Sequence, residues 1–457
     1  MAPRRPHGKH GAKKGRKKSS WLVSPTNVNV NTTAAATASA TPASGAPLVA
    51  QLLAEAQKAL DSFAFASAEK FFVRALQTVT QSAVPSPVQA AYILTQLGAL
   101  QLEVDNKDPA GGSHDASMAD AGSASATASG DAPAHTYPSG PACFQQAVEC
   151  APQYAWEACC YLAQLSEGPE ALAYYRQAMA ILGHLLEHPE AAHDAGGVVP
   201  PHTPTDLQTR RATTLCAMTE IYMTDCCDLP EAEAMCEQLM TEAQAIPLPP
   251  NSPERVEVLL ACASLRISQL RNDDACALIH ASWQILGPAI KMHDDDDDEA
   301  AAEDGPAPSP PQPSAAPAES QLSPDDDRAV PKYDTLIAYS KVCVELGLYP
   351  YAEQVLDLLT TQNDEDEEVI YLSAMCHYWI GGGVSAVNEA GQEIRRPNVS
   401  AEERQEAWQE AYLMLKWLER LEAKHHRCHP AMLEHVAAVH KDLAASGMAF
   451  NDLPPEE

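Results

Sequence analysis

One spacing returns along the chain and limits its folds more than any other feature. A small residue is followed after three others by a large apolar one, and after two more by a second small or apolar one. Ala68, Phe72 and Ala75 follow it, as do Ala171, Tyr175 and Ala178, and Ala275, Ile279 and Ser282. Positions i, i+4 and i+7 share one stripe of an α-helix. The stretch 252–288 shows the whole unit. Ser252 suits an N-cap, Pro253 the first helical position, and Glu254 the positive end of the helix dipole. Leu259, Cys262, Ala263, Arg266 and Leu270 line one helical face. Asn272, Asp273 and Asp274 supply turn chemistry, and Gly287-Pro288 is expected to stop the second helix. A pair of helices that short cannot bury its apolar faces alone, so it needs neighbouring copies.

Copies are present. The spacing resembles the second half of a tetratricopeptide (TPR) motif, and Leu94, Leu97, Gly98 and Gln101 match its first half. The first repeat runs from Leu48 to about Val79. The second opens at Gln89 and resumes with Phe144, Ala147 and Pro152 after an insertion. The third covers Tyr154 to Leu186, and the fourth Leu207 to Ala245 with Ala232, Cys236 and Leu239. The unit at 252–288 is the fifth. The sixth holds Leu336, Tyr339, Ser340 and Cys343, then Ala352, Leu356 and Leu359. The seventh starts at Glu367 and resumes with Ala407, Ala411 and Met414. His426 to Ala445 reads as the solvating end helix that a solenoid requires. The expected fold is an all-α, TPR-like solenoid of about seven repeats over 47–445, with a basic tail at 1–46 and a C-terminal tail at 446–457. Insertions at about 105–140, 187–206, 293–330 and 381–399 fall between helices or repeats, where loop closure costs little.

Charge narrows the partners. The formal net charge is −32, but the first 18 residues hold eight of the 30 Lys and Arg and none of the 62 Asp and Glu, so the remainder carries −40. A body that acidic repels nucleic acid and anionic lipid and attracts basic partners. In the tail, Lys13, Lys14, Arg16, Lys17 and Lys18 form a basic run suited to an import receptor. Thirteen cysteines without a framework, and no signal peptide or apolar run of membrane length, point to free thiols in a reducing compartment. Cytoplasm and nucleus are the expected locations.

Chemistry-bearing motifs are scarce. His425, His426, Cys428 and His429 cluster, but a polar turn before Pro430 accounts for them. The acidic run 294–298 lacks the spaced ligands and glycine of a calcium loop. With no phosphate loop or nucleophile motif, no catalytic residue, metal or cofactor is expected. What remains is a groove. In a TPR array the first helix of each repeat lines the concave face. The repeat register places Glu103, Glu220, Glu257, Asp334, Glu345 and Glu367 there, with Tyr92 and Trp156. Glu220 requires a turn one residue longer than standard.

The basic arm, the acidic array and the stretch Cys160-Tyr161-Leu162-Ala163-Gln164-Leu165-Ser166-Glu167-Gly168, leading into Ala171 and Tyr174-Tyr175, resemble a family of fungal TPR proteins. These act as dedicated assembly chaperones of large-subunit ribosomal protein four (uL4 type). The insertions after Asp105, His293 and Gly381 depart from that family. The resemblance implies capture of a newly made ribosomal protein, shielding of its rRNA-binding loop and escort to the nuclear pre-ribosome. An acidic groove would mimic the phosphate field for such a basic client. Two other readings stand beside it. One is a general TPR adaptor or heat-shock co-chaperone, which would need a basic clamp rather than an acidic groove. The other is an enzyme on a solenoid scaffold.

Overall fold

The computed structural model describes residues 46–107, 138–188, 198–300, 330–387, 393–395, 399–426 and 428–451. The tail with its basic run lies outside them. Fifteen helices and one short hairpin make up the described residues. Seven antiparallel pairs follow in order: α1 (Ala46–Asp61) with α2 (Phe65–Thr80), α3 (Pro87–Lys107) with α4 (Gly140–Cys150), α5 (Trp156–Leu165) with α6 (Gly168–Glu187), α7 (Pro204–Met223) with α8 (Ala232–Ala245), α9 (Pro253–Ser268) with α10 (Asn272–Ala300), α11 (Tyr333–Glu345) with α12 (Tyr349–Gln362), and α13 (Glu367–Gly382) with α14 (Ala401–His425). A last helix, α15 (Pro430–Ala445), closes the series on Val436, Val439 and Leu443. The architecture is the expected all-α array. Each first helix packs on the second helix of the preceding repeat at most junctions, and α7, α9, α11 and α13 also touch one another in sequence.

The repeat signature is the core. Ala68, Ala75, Ala171, Ala178, Ala275, Ile279, Ser282 and Ala352 are completely enclosed. Small side chains let the two backbones of a pair approach, and the large residue between them fills the next gap. Clusters built this way overlap from repeat to repeat rather than forming one centre.

Several boundaries differ from the sequence reading. Gly287-Pro288 does not stop α10, which continues to Ala300. Leu286 and Ile290 on either side of the proline are buried against the α11–α12 pair. Packing of that face outweighs the missing amide. Helix α7 begins three residues before Leu207, because Thr203 and Asp206 form a reciprocal capping box. The end helix starts at Pro430 rather than His426; His426 ends α14 in a left-handed conformation and His429 caps α15. Within 381–399, Gly381 and Gly382 still belong to α13, and β1 (Val384–Val387) pairs antiparallel with β2 (Glu393–Arg395). The stretch past 445 also differs from a simple tail: Phe450 stacks on Tyr412 at 5.1 Å and the Asn451 amide donates to Gln409 at 2.8 Å.

Candidate functional site

Helix caps position the side chains on the face built by α3, α5, α7, α9 and α11. Ser252 accepts from the Arg255 amide at 3.3 Å and fixes the start of α9, which sets Glu254 and Glu257 on successive turns. Asp366 accepts from Glu368 and Val369 at 2.9 and 3.1 Å, and its other oxygen takes the Tyr333 hydroxyl at 3.1 Å. That bond ties the start of α11 to the start of α13.

Of the expected acids, Glu103, Asp334 and Glu345 are exposed. Glu103 lies close enough to Tyr161 of α5 for its charge to act there, together with Glu157 and Arg210. Glu220 is half-buried, and its charge reaches Tyr175 of α6 and Cys216 of its own helix. Glu257 was expected to project into an open groove, and it does not. It is 9% exposed, accepts from Thr335 of α11 at 3.4 Å, and burial pushes its carboxyl up to about 7 against the opposing pull of Lys332. The contact between α9 and α11 is close enough to enclose it. Glu367 stands apart from the others. It is half-buried, with Oε1 enclosed and no hydrogen-bond partner, and its charge acts on Cys428 between α14 and α15.

The two aromatic residues do come together. Tyr92 and Trp156 line one small pocket with Ala91, Thr95, Tyr154, Ala155, Glu157 and His202. Trp156 is not a projecting groove residue, however. It is 2% exposed, with the His202 ring 5.7 Å away and the Arg210 guanidinium 5.9 Å from its ring centroid. As the first residue of a helix only ten residues long, it is covered by the segment that precedes α7. Tyr92 is half-buried, and burial with the nearby Glu157 charge raises its hydroxyl pKa.

Sequence register missed the basic members of this face. Arg210 and Lys332 both lie close enough to Glu257 to favour its charged form, and Lys341 bridges α11 to Glu368 of α13 at 2.8 Å. The Thr203–Asp206 capping signal would have moved α7 earlier and brought Arg210 into its second turn. All thirteen cysteines are free, and burial raises most of the thiols. Among the described residues no group of three or more His, Cys, Asp and Glu could hold a metal ion, and no helix is long and apolar enough to cross a membrane. The arrangement is a protein surface of acids and aromatics, with a few cations set among them.

A protein described as "Probable assembly chaperone of rpl4" from Emericella nidulans is 28% identical to this chain over 222 residues. These cover 47% of this chain and 46% of that protein. One of the same description from Schizosaccharomyces pombe is 24% identical over 221 residues, 48% of this chain and 49% of that protein. This chain resembles fungal assembly chaperones of rpl4. It spans about half the length of these two chaperones. The solved structure titled "Assembly Chaperone of RpL4 (Acl4) (Residues 1-338)" aligns with a TM-score of 0.47 and 21% identity, covering 73% of this chain and 97% of that one. No family model matches the sequence.

Proposed function

We propose that this protein is a dedicated chaperone for a newly made, basic large-subunit ribosomal protein of the uL4 type. The carrying observation is the similarity to two proteins described as assembly chaperones of rpl4. The client's rRNA-binding segment is held on the first-helix face, where Glu103, Glu157, Glu254, Asp334 and Glu345 offer carboxylates. Free of RNA, such a segment is a flexible polycation; fixed carboxylates steer its capture and occupy the groups that would otherwise bind RNA nonspecifically. Competition by rRNA for the same basic residues releases it. The protein works by binding rather than catalysis and makes no direct contact with nucleic acid. It moves between cytoplasm and nucleus, with an import receptor reading Lys13, Lys14, Arg16, Lys17 and Lys18. The domain limits proposed from the repeats, 1–46, 47–445 and 446–457, frame this division of labour between tail and array.

Charge reversal tests the reading. Glu257 is enclosed, so the informative triple is Glu103→Lys, Asp334→Lys and Glu345→Lys. A control reverses three aspartates of the 294–298 run and changes net charge equally. The face variant should bind the uL4-type protein about tenfold or more weakly at physiological salt, and the control much less so. Equal losses would leave only bulk charge. Unchanged binding by the face variant would place the client elsewhere, and recovery of heat-shock chaperones instead of a ribosomal protein in a pull-down would favour the co-chaperone reading.

A further inference from the structure

Residues 198–203 belong to an insertion, yet they lie on the array. The chain leaves the third repeat at the end of α6 and enters the fourth at Pro204. Between the two it goes back to the second repeat. Val199 is 4% exposed and shares a buried cluster with Ala91 of α3 and with Tyr154 and Ala155 ahead of α5. Val198 packs against the cluster of α1, α2 and α3. The His202 ring then stands 6.1 Å from Tyr154 and 5.7 Å from Trp156, over the pocket that Tyr92 and Glu157 also line. Six residues without helix or strand hydrogen bonding thus cross the starts of two first helices. Beneath them the Trp156 Nε1 group is buried and has no acceptor. The seat therefore retains an unused donor for a peptide carbonyl.

We propose that residues 198–203 are a built-in occupant of an extended-peptide seat between α3 and α5, which an incoming client segment must displace. This deepens the chaperone reading and rests on it. The occupant is suited to being displaced. Two valines are its aliphatic anchors, and burying them must offset the ordering of six residues. Pro200 and Pro201 reduce that cost by fixing φ in advance, so the segment stays seated without being locked. A client with a longer run of contacts, and with charges for Glu157 and Glu103, outcompetes it. A seat filled in about nine molecules of ten would lower apparent client affinity about tenfold.

Hydrogen exchange on the full chain tests this directly. Without client, the Val199 amide should exchange slowly in wild type, and up to about tenfold faster in a Val198→Ser/Val199→Asp variant, with α9 unchanged. Adding the uL4-type protein to wild type should speed exchange at 198–203 while α3 and α5 become more protected. The variant should bind that protein more tightly by severalfold. A complex in which 198–203 stays protected, or a variant that binds more weakly, would overturn the displacement and make the segment part of the site. Equal exchange at Val199 in the client-free wild type and variant would also overturn it. Failure of both proteins to bind any uL4-type protein would remove the chaperone reading together with this inference, leaving the cis contact as a structural one.

Discussion

Three tight turns in the array use the same backbone shape with different residues. Phe63, Leu270 and Gly347 have φ of 55°, 61° and 71°. At each, the following amide reaches back five residues: Ala64 to Ala59 and Leu348 to Cys343 at 2.8 Å, and Arg271 to Arg266 at 2.8 Å. Glycine adopts that region freely, whereas a side chain meets the neighbouring carbonyl there. Leu270 is 65% exposed, so it recovers little by packing. Leu270→Gly should raise stability by about 0.5–1 kcal/mol in a thermal melt, after the entropy that glycine adds to the unfolded chain. A lower melting temperature would mean that the leucine makes a contact the turn needs. Glu257 carries a second residue-scale consequence. Its carboxyl is raised from 4.5 to about 7 by burial, so the folded state holds a proton that the unfolded state has lost. The stability this contributes is complete below about pH 4.5 and is lost as pH rises through about 7. Glu257→Gln should therefore match wild type near pH 4.5 and exceed it at pH 8 by on the order of 2–3 kcal/mol. Urea melts at the two pH values measure the difference, and parallel curves would argue against an enclosed, protonated carboxyl.

Between elements, the α13–α14 contact shows how an interrupted repeat still closes. A Cβ at Gly381 would collide with Cδ1 and Nε1 of Trp408. The indole cannot easily yield, because its Nε1 donates to the Tyr378 carbonyl at 3.0 Å. Gly381→Ala should cost about 1–3 kcal/mol or more as the two helices are forced apart, with the loss seen in melting and in Trp fluorescence. The variant melting at the wild-type temperature would show that the seventh pair adapts without strain. The same contact explains how the hairpin Val384–Val387 and Glu393–Arg395 is accommodated: the pair is held by its own side chains, so the connecting segment bears little of the load.

Across the molecule, charge and repetition act together. Each pair buries its stripe on the next, so the array has no single centre and its first helices share one long face. A face of that length suits an extended segment. The chain outside the first 18 residues carries −40, and those 18 carry the opposite sign. Residues 1–20 fused to a cytoplasmic reporter should carry it into the nucleus, and alanine at Lys13, Lys14, Arg16, Lys17 and Lys18 should stop that transfer. Fluorescence microscopy scores both, and a reporter that stays outside with the intact arm would assign the run to solvation alone.

The helical pairs were legible in the sequence because burial of Ala275, Ile279 and Ser282 depends only on local period, and period survives whatever the neighbours do. The cap at Ser252 was legible because capping is equally local. The register of the face was legible only in part. Glu103, Asp334 and Glu345 reach solvent as their helical positions imply, but Trp156 and Glu257 do not, since their exposure depends on residues far along the chain: His202 and Arg210 over the indole, Thr335 over the carboxyl. Continuation of α10 through Pro288 was likewise decided by the partner it packs on rather than by its own breakers. The return of Val198 and Val199 to the second repeat had no periodic signal at all. Local propensity sets which segments are helices; which faces remain open is set by contacts between segments that the order of residues does not reveal.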